Sequence, residues 1–167
     1  MKQPSLVIIK PDGLDKRLVG IILDKFLKVG LKIAAIRLVK ANRKRAEEHY
    51  RHIKGTPFFK ITIDYFVGKF HKQKYLLAAV LLGEDAIKKC RQIAGATDPR
   101  DANAVSLRGA FGRVTPQGFF ENVIHVSSDP KEAEREIKLW FQPEDITIRL
   151  FPVKTKIEKS IKKRVWA

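Results

Sequence analysis

The sequence has almost no sulfur: one cysteine and one methionine in 167 residues. A single cysteine, Cys90, permits no internal disulfide, and it excludes a zinc site built on cysteines. It suits a reducing compartment. Long apolar runs are also missing. The longest spans residues 75–82 (YLLAAVLL), against the ~20 residues needed to cross a bilayer. The N-terminal stretch MKQPSLVIIKPDG holds only four consecutive apolar residues. That is too short for a secretory signal core, so it reads as a buried strand, and a cytoplasmic location is the expectation. Neither GxxxxGK[ST] nor GxGxxG occurs, so the common nucleotide-binding loops are absent. Internal repeats and low-complexity segments are absent as well.

Acidic residues are scarce. There are 18 against 34 basic ones, for a net charge of +16 and a pI near 10.1. Such a surface attracts polyanions: nucleotides, nucleic acid or acidic lipid. Residues 154–167 contribute +5, so the rest of the chain still carries +11. The apolar fraction of 44% is that of a globular protein. The length suggests one domain, which can bury roughly two-thirds of its unfolded surface without staples.

Hydrophobic spacing gives an alternating order of strands and helices. Residues 5–9 (SLVII) form a β-branched run ended by Pro11, Asp12 and Gly13. Leu18, Ile21, Ile22, Phe26 and Val29 fall at helical spacing, with Gly30 at the C-terminal cap. Residues 32–39 read as a second strand. Residues 43–53 read as a polar helix broken by Gly55-Thr56-Pro57, and residues 58–66 as a short aromatic helix. Residues 68–74 (GKFHKQK) read as an exposed basic loop. A third strand over 75–82 leads into a helix over 85–93. Residues 95–120 contain four glycines and two prolines and read as a long loop, a class that is usually functional or disordered. Residues 122–126 (NVIHV) make a fourth strand. Asp129, Pro130 and Glu132 mark a helix start, and that helix runs to about Phe141. The economical arrangement is a ferredoxin-like α+β fold: a four-stranded antiparallel sheet with helices packed on one side. A domain over 1–144 and a basic extension over 145–167 are expected.

Of the four histidines, His125 is unusual, because it sits in an apolar strand end just before a helix. That pattern fits a buried, satisfied histidine or a nucleophile or general base. His49 and His52 lie three apart on the polar helix, where a solvated face is a better reading than metal ligation. His71 reads as surface. Lys10 ends the first strand at the mouth of the sheet, where a cation can meet an anion. Arg91, Thr97 and Arg108 flank glycine-containing turns, and a guanidinium fork suits phosphate oxygens.

Together, LVIIKPDG (6–13), LVG (18–20), EEHY (47–50), KGTPFF (54–59), GATDP (95–99), LRGAFG (107–112), NVIHVS (122–127) and AEREIKLWF (133–141) resemble the nucleoside diphosphate kinase family. The resemblance implies transfer of the terminal phosphate from a nucleoside triphosphate to a nucleoside diphosphate by a ping-pong route through a phosphohistidine, with Mg²⁺ carried on the nucleotide phosphates. It implies His125 as the phosphorylated residue, Glu136 as the acid bonded to its other ring nitrogen, and Ser127 as a second polar neighbour. It implies phosphate and ribose contacts from Lys10, Tyr50, Arg91, Thr97, Arg108 and Asn122, and base stacking on Phe58. A homo-oligomer, a dimer-based tetramer or hexamer, is implied too. Ala110 stands where the family usually has aspartate, and Val126 where it has a small residue. Residues 67–74 and 114–121 form longer loops than usual. The competing expectation is a nucleic-acid or ribosome-associated binding module on the same scaffold. It is motivated by the charge and the tail, but such a module would not require the set His125, Glu136, Lys10 and Arg108.

Overall fold

The computed structural model describes residues 2–40 and 42–155. Its main sheet has the order β2-β3-β1-β6, built from β1 (Lys2–Ile9), β2 (Lys32–Lys40), β3 (Tyr75–Glu84) and β6 (Ile124–Val126). Every neighbouring pair is antiparallel, as the sequence implies.

The cover of the sheet differs from expectation. In β1, Leu6 and Ile8 enter one core, whereas Val7 and Ile9 enter another. Successive side chains of a strand point to opposite faces, so a run apolar at every position needs two layers. Helices α3 (Arg43–His49), α4 (Phe59–Phe66) and α7 (Pro130–Trp140) cover the first face through Ala46, Ile63, Phe66, Ile137 and Trp140. Helices α2 (Val19–Lys28), α5 (Ala86–Ala94) and α6 (Leu107–Phe111) cover the second through Ile22, Phe26, Ala86, Cys90 and Leu107.

Several local expectations hold. Gly30 follows α2 with φ +81°, the left-handed conformation that glycine adopts at such ends. The Asp129 carboxylate accepts from the Glu132 N–H at 2.9 Å, with Pro130 opening α7. The turn at 11–13 is instead the start of a short helix, α1 (Pro11–Asp15). The stretch 95–120 is only partly irregular. It contains α6, capped by the Ser106 hydroxyl accepting from Gly109 N–H, and a hairpin of β4 (Arg113–Val114) and β5 (Phe120–Glu121). Elements this short carry no measurable periodicity.

Beyond residue 142 the chain returns to the body. Asp145 pairs with Arg37 at 2.5 Å, and the Thr147 N–H and hydroxyl both donate to the Ala34 carbonyl, at 3.0 and 2.9 Å. Ile146, Leu150 and Phe151 pack against the first core. Most of the basic tail, residues 156–167, lies outside the described residues. Among the described residues no helix is long and apolar enough to cross a membrane.

A chain ending at residue 142 should be less stable than one ending at 155. The loss of three partly buried side chains corresponds to about 3 kcal/mol, or a Tm lower by about 6–12 °C. Equal Tm values by calorimetry would show that the segment contributes no packing.

Candidate active site

The site forms where β1 and β6 end side by side, with Ile8 opposite His125. Lys10 is the first residue beyond β1, and α1 begins immediately after it. The junction before β6 is strained. Val123 has φ +54°, a conformation rare for a β-branched residue, and strain of this kind costs about 1–3 kcal/mol. Its peptide is held on both sides. The Val123 N–H donates to Asp12 Oδ2 at 3.0 Å, and its carbonyl accepts from the Lys10 N–H at 2.9 Å. Asp12 is fixed in turn by the Tyr65 hydroxyl, which donates to Oδ1 at 2.7 Å. A Cβ on Gly13 would stand 2.9 Å from the Val123 carbonyl oxygen, so this approach of α1 requires glycine.

The strained peptide turns Asn122 and His125 into one cleft. Lys10 Nζ donates to Asn122 Oδ1 at 2.6 Å, and Asn122 Nδ2 donates to the Thr97 carbonyl at 2.8 Å. The buried Arg108 guanidinium donates to two carbonyls, Gly95 at 2.8 Å and Ile124 at 3.2 Å, and its Nε–H has no partner. Both cations thus rest on neutral acceptors. Burial, reinforced by Arg108, lowers the Lys10 pKa to about 7, against a smaller upward pull from Asp12. Burial likewise lowers that of Arg108. Buried cations with neutral partners and an unused N–H form a receptor for an anion.

His125 faces the same cleft. Its Nε2 lies 2.9 Å from Glu136 Oε1, and the Ser127 hydroxyl donates to Glu136 Oε2 at 2.6 Å. The Leu6 N–H donates to the Ser127 hydroxyl at 3.1 Å, which ties this chain to β1. Burial, then the charges of Lys10 and Arg108, hold His125 well below its usual pKa, so the imidazole is neutral. Burial pushes the Glu136 carboxyl up, while His49, Ser127 and Arg135 draw it back. A neutral ring that donates from Nε2 to a carboxylate keeps its lone pair on Nδ1.

All ten residues singled out in the sequence converge here. Lys10, Tyr50, Arg91, Thr97, Arg108, Asn122, His125 and Glu136 line a cavity of about 520 Å³. Phe58, 52% exposed, lines an adjoining cavity of about 360 Å³ that shares Lys10, Tyr50, Thr97 and Asn122. Ser127 lies behind Glu136. Val126 lines the larger cavity, whereas Ala110 is exposed.

Two histidines differ from expectation. His49 is fully buried and stands edge-on to His125, with ring centroids 4.3 Å apart. Its Nδ1 accepts from the Trp140 indole N–H at 3.2 Å, Phe66 stacks on it at 5.2 Å, and its Nε2 has no partner. The α-helix ends at His49 rather than running through to Ile53, so Ala46, His49 and Tyr50 share its inward face. Their spacing of three and four was the available signal. Arg135 fastens this helix end, donating to the Glu48 and His49 carbonyls at 3.0 Å each. His71 is also buried, bonded to Glu121 at 3.0 Å, so the loop 68–74 is anchored rather than free.

His49, His125 and Glu136 bring three donor atoms within 4.8 Å of one another. Two of the three are imidazole nitrogens, which suit zinc or copper better than Mg²⁺. The cleft offers no cage of oxygens. Glu132 is held by Arg135 at 2.6 Å and Glu136 by Ser127 and His125. The donor set therefore fits a hard cation that arrives on phosphate oxygens which Lys10, Arg91 and Arg108 can hold.

The family model for nucleoside diphosphate kinase matches residues 3–146. The chain belongs to the nucleoside diphosphate kinase family. A nucleoside diphosphate kinase of Thermococcus kodakarensis is 42% identical over 142 residues, 85% of this chain and 78% of the relative. That of Methanocaldococcus jannaschii is 35% identical over 87% of this chain and 98% of its own. Among solved structures, the enzyme of Halobacterium salinarum in complex with CDP has a TM-score of 0.79 at 30% identity, covering 87% of this chain and 91% of that one. A transition-state mimic of the Borrelia burgdorferi enzyme with vanadate and ADP has a TM-score of 0.77 at 27% identity, covering 92% and 93%. The family acts on nucleotides with a divalent metal, so this chain is a phosphotransferase.

A lysine that titrates near pH 7 when free gains its proton when anionic phosphates arrive. ADP binding at pH 8 should therefore take up protons, and affinity should fall as pH rises through 7, by at most about tenfold per unit. Calorimetry in buffers of different ionisation enthalpy measures this directly. Binding at pH 8 without net uptake would show Lys10 already charged.

Proposed function

We propose that this chain transfers the terminal phosphate between nucleotides with His125 as the covalent carrier. The neutral, half-buried His125, held through Nε2 by Glu136 and opening on a cavity lined by Lys10, Arg91 and Arg108, carries the reading.

In the first half-reaction the Nδ1 lone pair attacks the terminal phosphorus. The N–P bond forms, the P–O bond to the diphosphate breaks, and the nucleoside diphosphate leaves with that electron pair. The ring then bears positive charge, which the Glu136 carboxylate offsets while it keeps the Nε2 proton. In the second half-reaction the terminal oxygen of another diphosphate attacks phosphorus and the N–P bond breaks, returning the pair to Nδ1. Covalent catalysis lets one site serve donor and acceptor in turn. Lys10 and Arg108, with Arg91, Thr97, Tyr50 and Asn122 around them, hold the phosphates and ribose and neutralise charge on the moving group. Phe58 stacks on the base. Mg²⁺, carried on the phosphates, would neutralise part of their charge.

The reading extends to assembly. β2 is an edge strand, and its Ile36 and Leu38 are 45% and 60% exposed; Ile21 and Leu27 of α2 are exposed as well. A strand edge flanked by apolar side chains suits pairing with a second copy, and we assign a dimer-based tetramer or hexamer. A cytoplasmic location rests on the single buried thiol of Cys90. The net charge of +16 supports weak, salt-sensitive nucleic-acid binding as a side property. A binding module alone is not favoured, because it has no use for the buried set His125, Glu136 and Ser127.

Incubation with γ-labelled ATP and Mg²⁺ should leave acid-labile label on His125, which unlabelled GDP then removes as GTP. His125→Ala should take no label while still binding ADP; turnover in that variant, free of contaminating kinase, would overturn the assignment. Lys10→Ala and Arg108→Ala should each slow transfer by ~10²-fold. Leu38→Glu combined with Ile36→Glu should reduce the mass seen by light scattering to that of a monomer; an unchanged mass would place the interface elsewhere.

A further inference from the structure

His49 stands against His125 without entering the cleft. It lines neither of the two cavities. Its ring nevertheless meets His125 edge-on, with centroids 4.3 Å apart, and a ring nitrogen of each histidine lies within 4.8 Å of a Glu136 carboxylate oxygen. We propose that His49 is a positioning residue: it confines the His125 imidazole to the orientation in which Nδ1 alone reaches the phosphate cavity. This rests on the transfer reading above and adds to it what restricts the carrier to one of its two ring nitrogens.

The nucleophile needs a second hold. Its hydrogen bond to Glu136, at 2.9 Å, grips one atom of a flat ring. A single hydrogen bond sets the distance of that atom and leaves the plane free to tilt about it. One side of His125 opens on the cleft, and the Tyr50 ring stands off at 6.2 Å. Imidazole has two nitrogens, and whichever lacks the proton has a lone pair to give. A ring tilted, with its proton on Nδ1, would present Nε2 to the phosphate instead. The contact with His49 removes that freedom.

His49 is itself immobilised on several sides. Phe66 stacks on its face with centroids 5.2 Å apart at 11°, and Tyr50 packs edge-on at 4.7 Å. The Trp140 indole N–H donates to its Nδ1 at 3.2 Å, and Arg135 donates to its carbonyl at 3.0 Å. Trp140 follows Glu136 by four residues on α7, so one helix face orients both histidines. Such a wall is already ordered before any ligand arrives. Burial, then the neighbouring His125, hold His49 well below its usual pKa. The wall is therefore neutral, and it does not oppose the positive charge that the His125 ring acquires on phosphorylation.

The test phosphorylates wild type, His49→Ala, His49→Asn and His49→Phe with ATP and Mg²⁺ and assigns the phosphorylated nitrogen by phosphorus NMR. Wild type and His49→Phe, which keeps a flat ring in place, should carry phosphate on Nδ1 alone. His49→Ala and His49→Asn open the space, so part of the phosphate should sit on Nε2. Phosphorylation should also slow by ~10²-fold, the scale set by a misplaced reacting group. KM for ATP should hardly change, because His49 lines neither cavity. Asparagine offers the Trp140 N–H an acceptor oxygen and guards against misfolding of the alanine variant. Phosphate on Nδ1 alone in folded His49→Asn would overturn the proposal, whatever the rate, and would make His49 a core residue only. If wild type took no phosphate, the transfer reading would fail by itself. Nitrogen NMR of His125 in the ligand-free protein would then still decide the wall. One tautomer in wild type and two in His49→Asn is the expected result, and one in both would overturn it.

Discussion

Lys10 and Arg108 stand buried in one cleft with only neutral acceptors against them, and the site is organised around that unfavourable arrangement. A carboxylate beside either cation would lower the desolvation penalty, but it would also occupy the place of a phosphate. The chain keeps its acids behind the reacting groups instead. Asp12 bonds the Tyr65 hydroxyl and the Val123 peptide, and Glu136 bonds His125 and Ser127. The cost appears as the depressed Lys10 pKa, and a polyanionic ligand relieves it. Burial, with the same two charges added to it, also holds His125 neutral.

Positioning these groups requires a second concession. A continuous β6 through Asn122 would place that side chain and His125, three positions apart, on opposite faces of the sheet. The left-handed turn at Val123 breaks the regularity and carries Asn122 back over Lys10. Strain at a β-branched residue survives only where the surroundings over-determine it. Here the Val123 peptide is bonded at both ends, to Asp12 and to Lys10, and Gly13 clears the space for that approach. Lys10 is therefore held by the same hydrogen bonds that set Asn122 beside it.

Much of this was legible in the sequence, for identifiable reasons. The main strands and α7 carry strong periodic or capping signals, and nine of the ten candidate site residues, all but Arg91, lie in short motifs whose spacing survives insertions. What escaped depends on tertiary context. The second helical layer follows from residues 6–9 of β1 and 76–82 of β3 being apolar at every position, a pattern that shows burial before it shows which elements cover each face. His49 was hidden by its neighbours: Arg43, Lys44, Arg45, Glu47 and Glu48 make the helix look solvated, yet only one face of it is. His71 was read from a basic loop, whereas its partner Glu121 lies 50 residues away. A two-residue strand has no period at all, so the hairpin over 113–121 could not be read.

Of the departures from the family pattern, the two loops read from the sequence as longer fall on one side of a division within the cleft, whereas Val126 lines the cavity of Lys10 and Arg108 and Ala110 is exposed on α6. The proposed phosphate contacts Lys10, Arg108 and Asn122 sit just beyond β1, on α6 and at the turn before β6, which the two cores hold. The proposed base contact Phe58 sits just before α4 and shares its cavity with the hairpin, which is attached to the body through Glu121, His71 and the Phe70–Phe119 stack. The longer loops, 67–74 and 114–121, are the two halves of that attachment. Length added to both together preserves their contact, whereas length added to one would leave Glu121 or His71 buried without a partner, at about 1–3 kcal/mol. Phosphoryl transfer demands fixed geometry and tolerates little change, but stacking on a flat face tolerates a great deal. The chain could therefore lengthen the base end of its site without moving His125, Lys10 or Arg108.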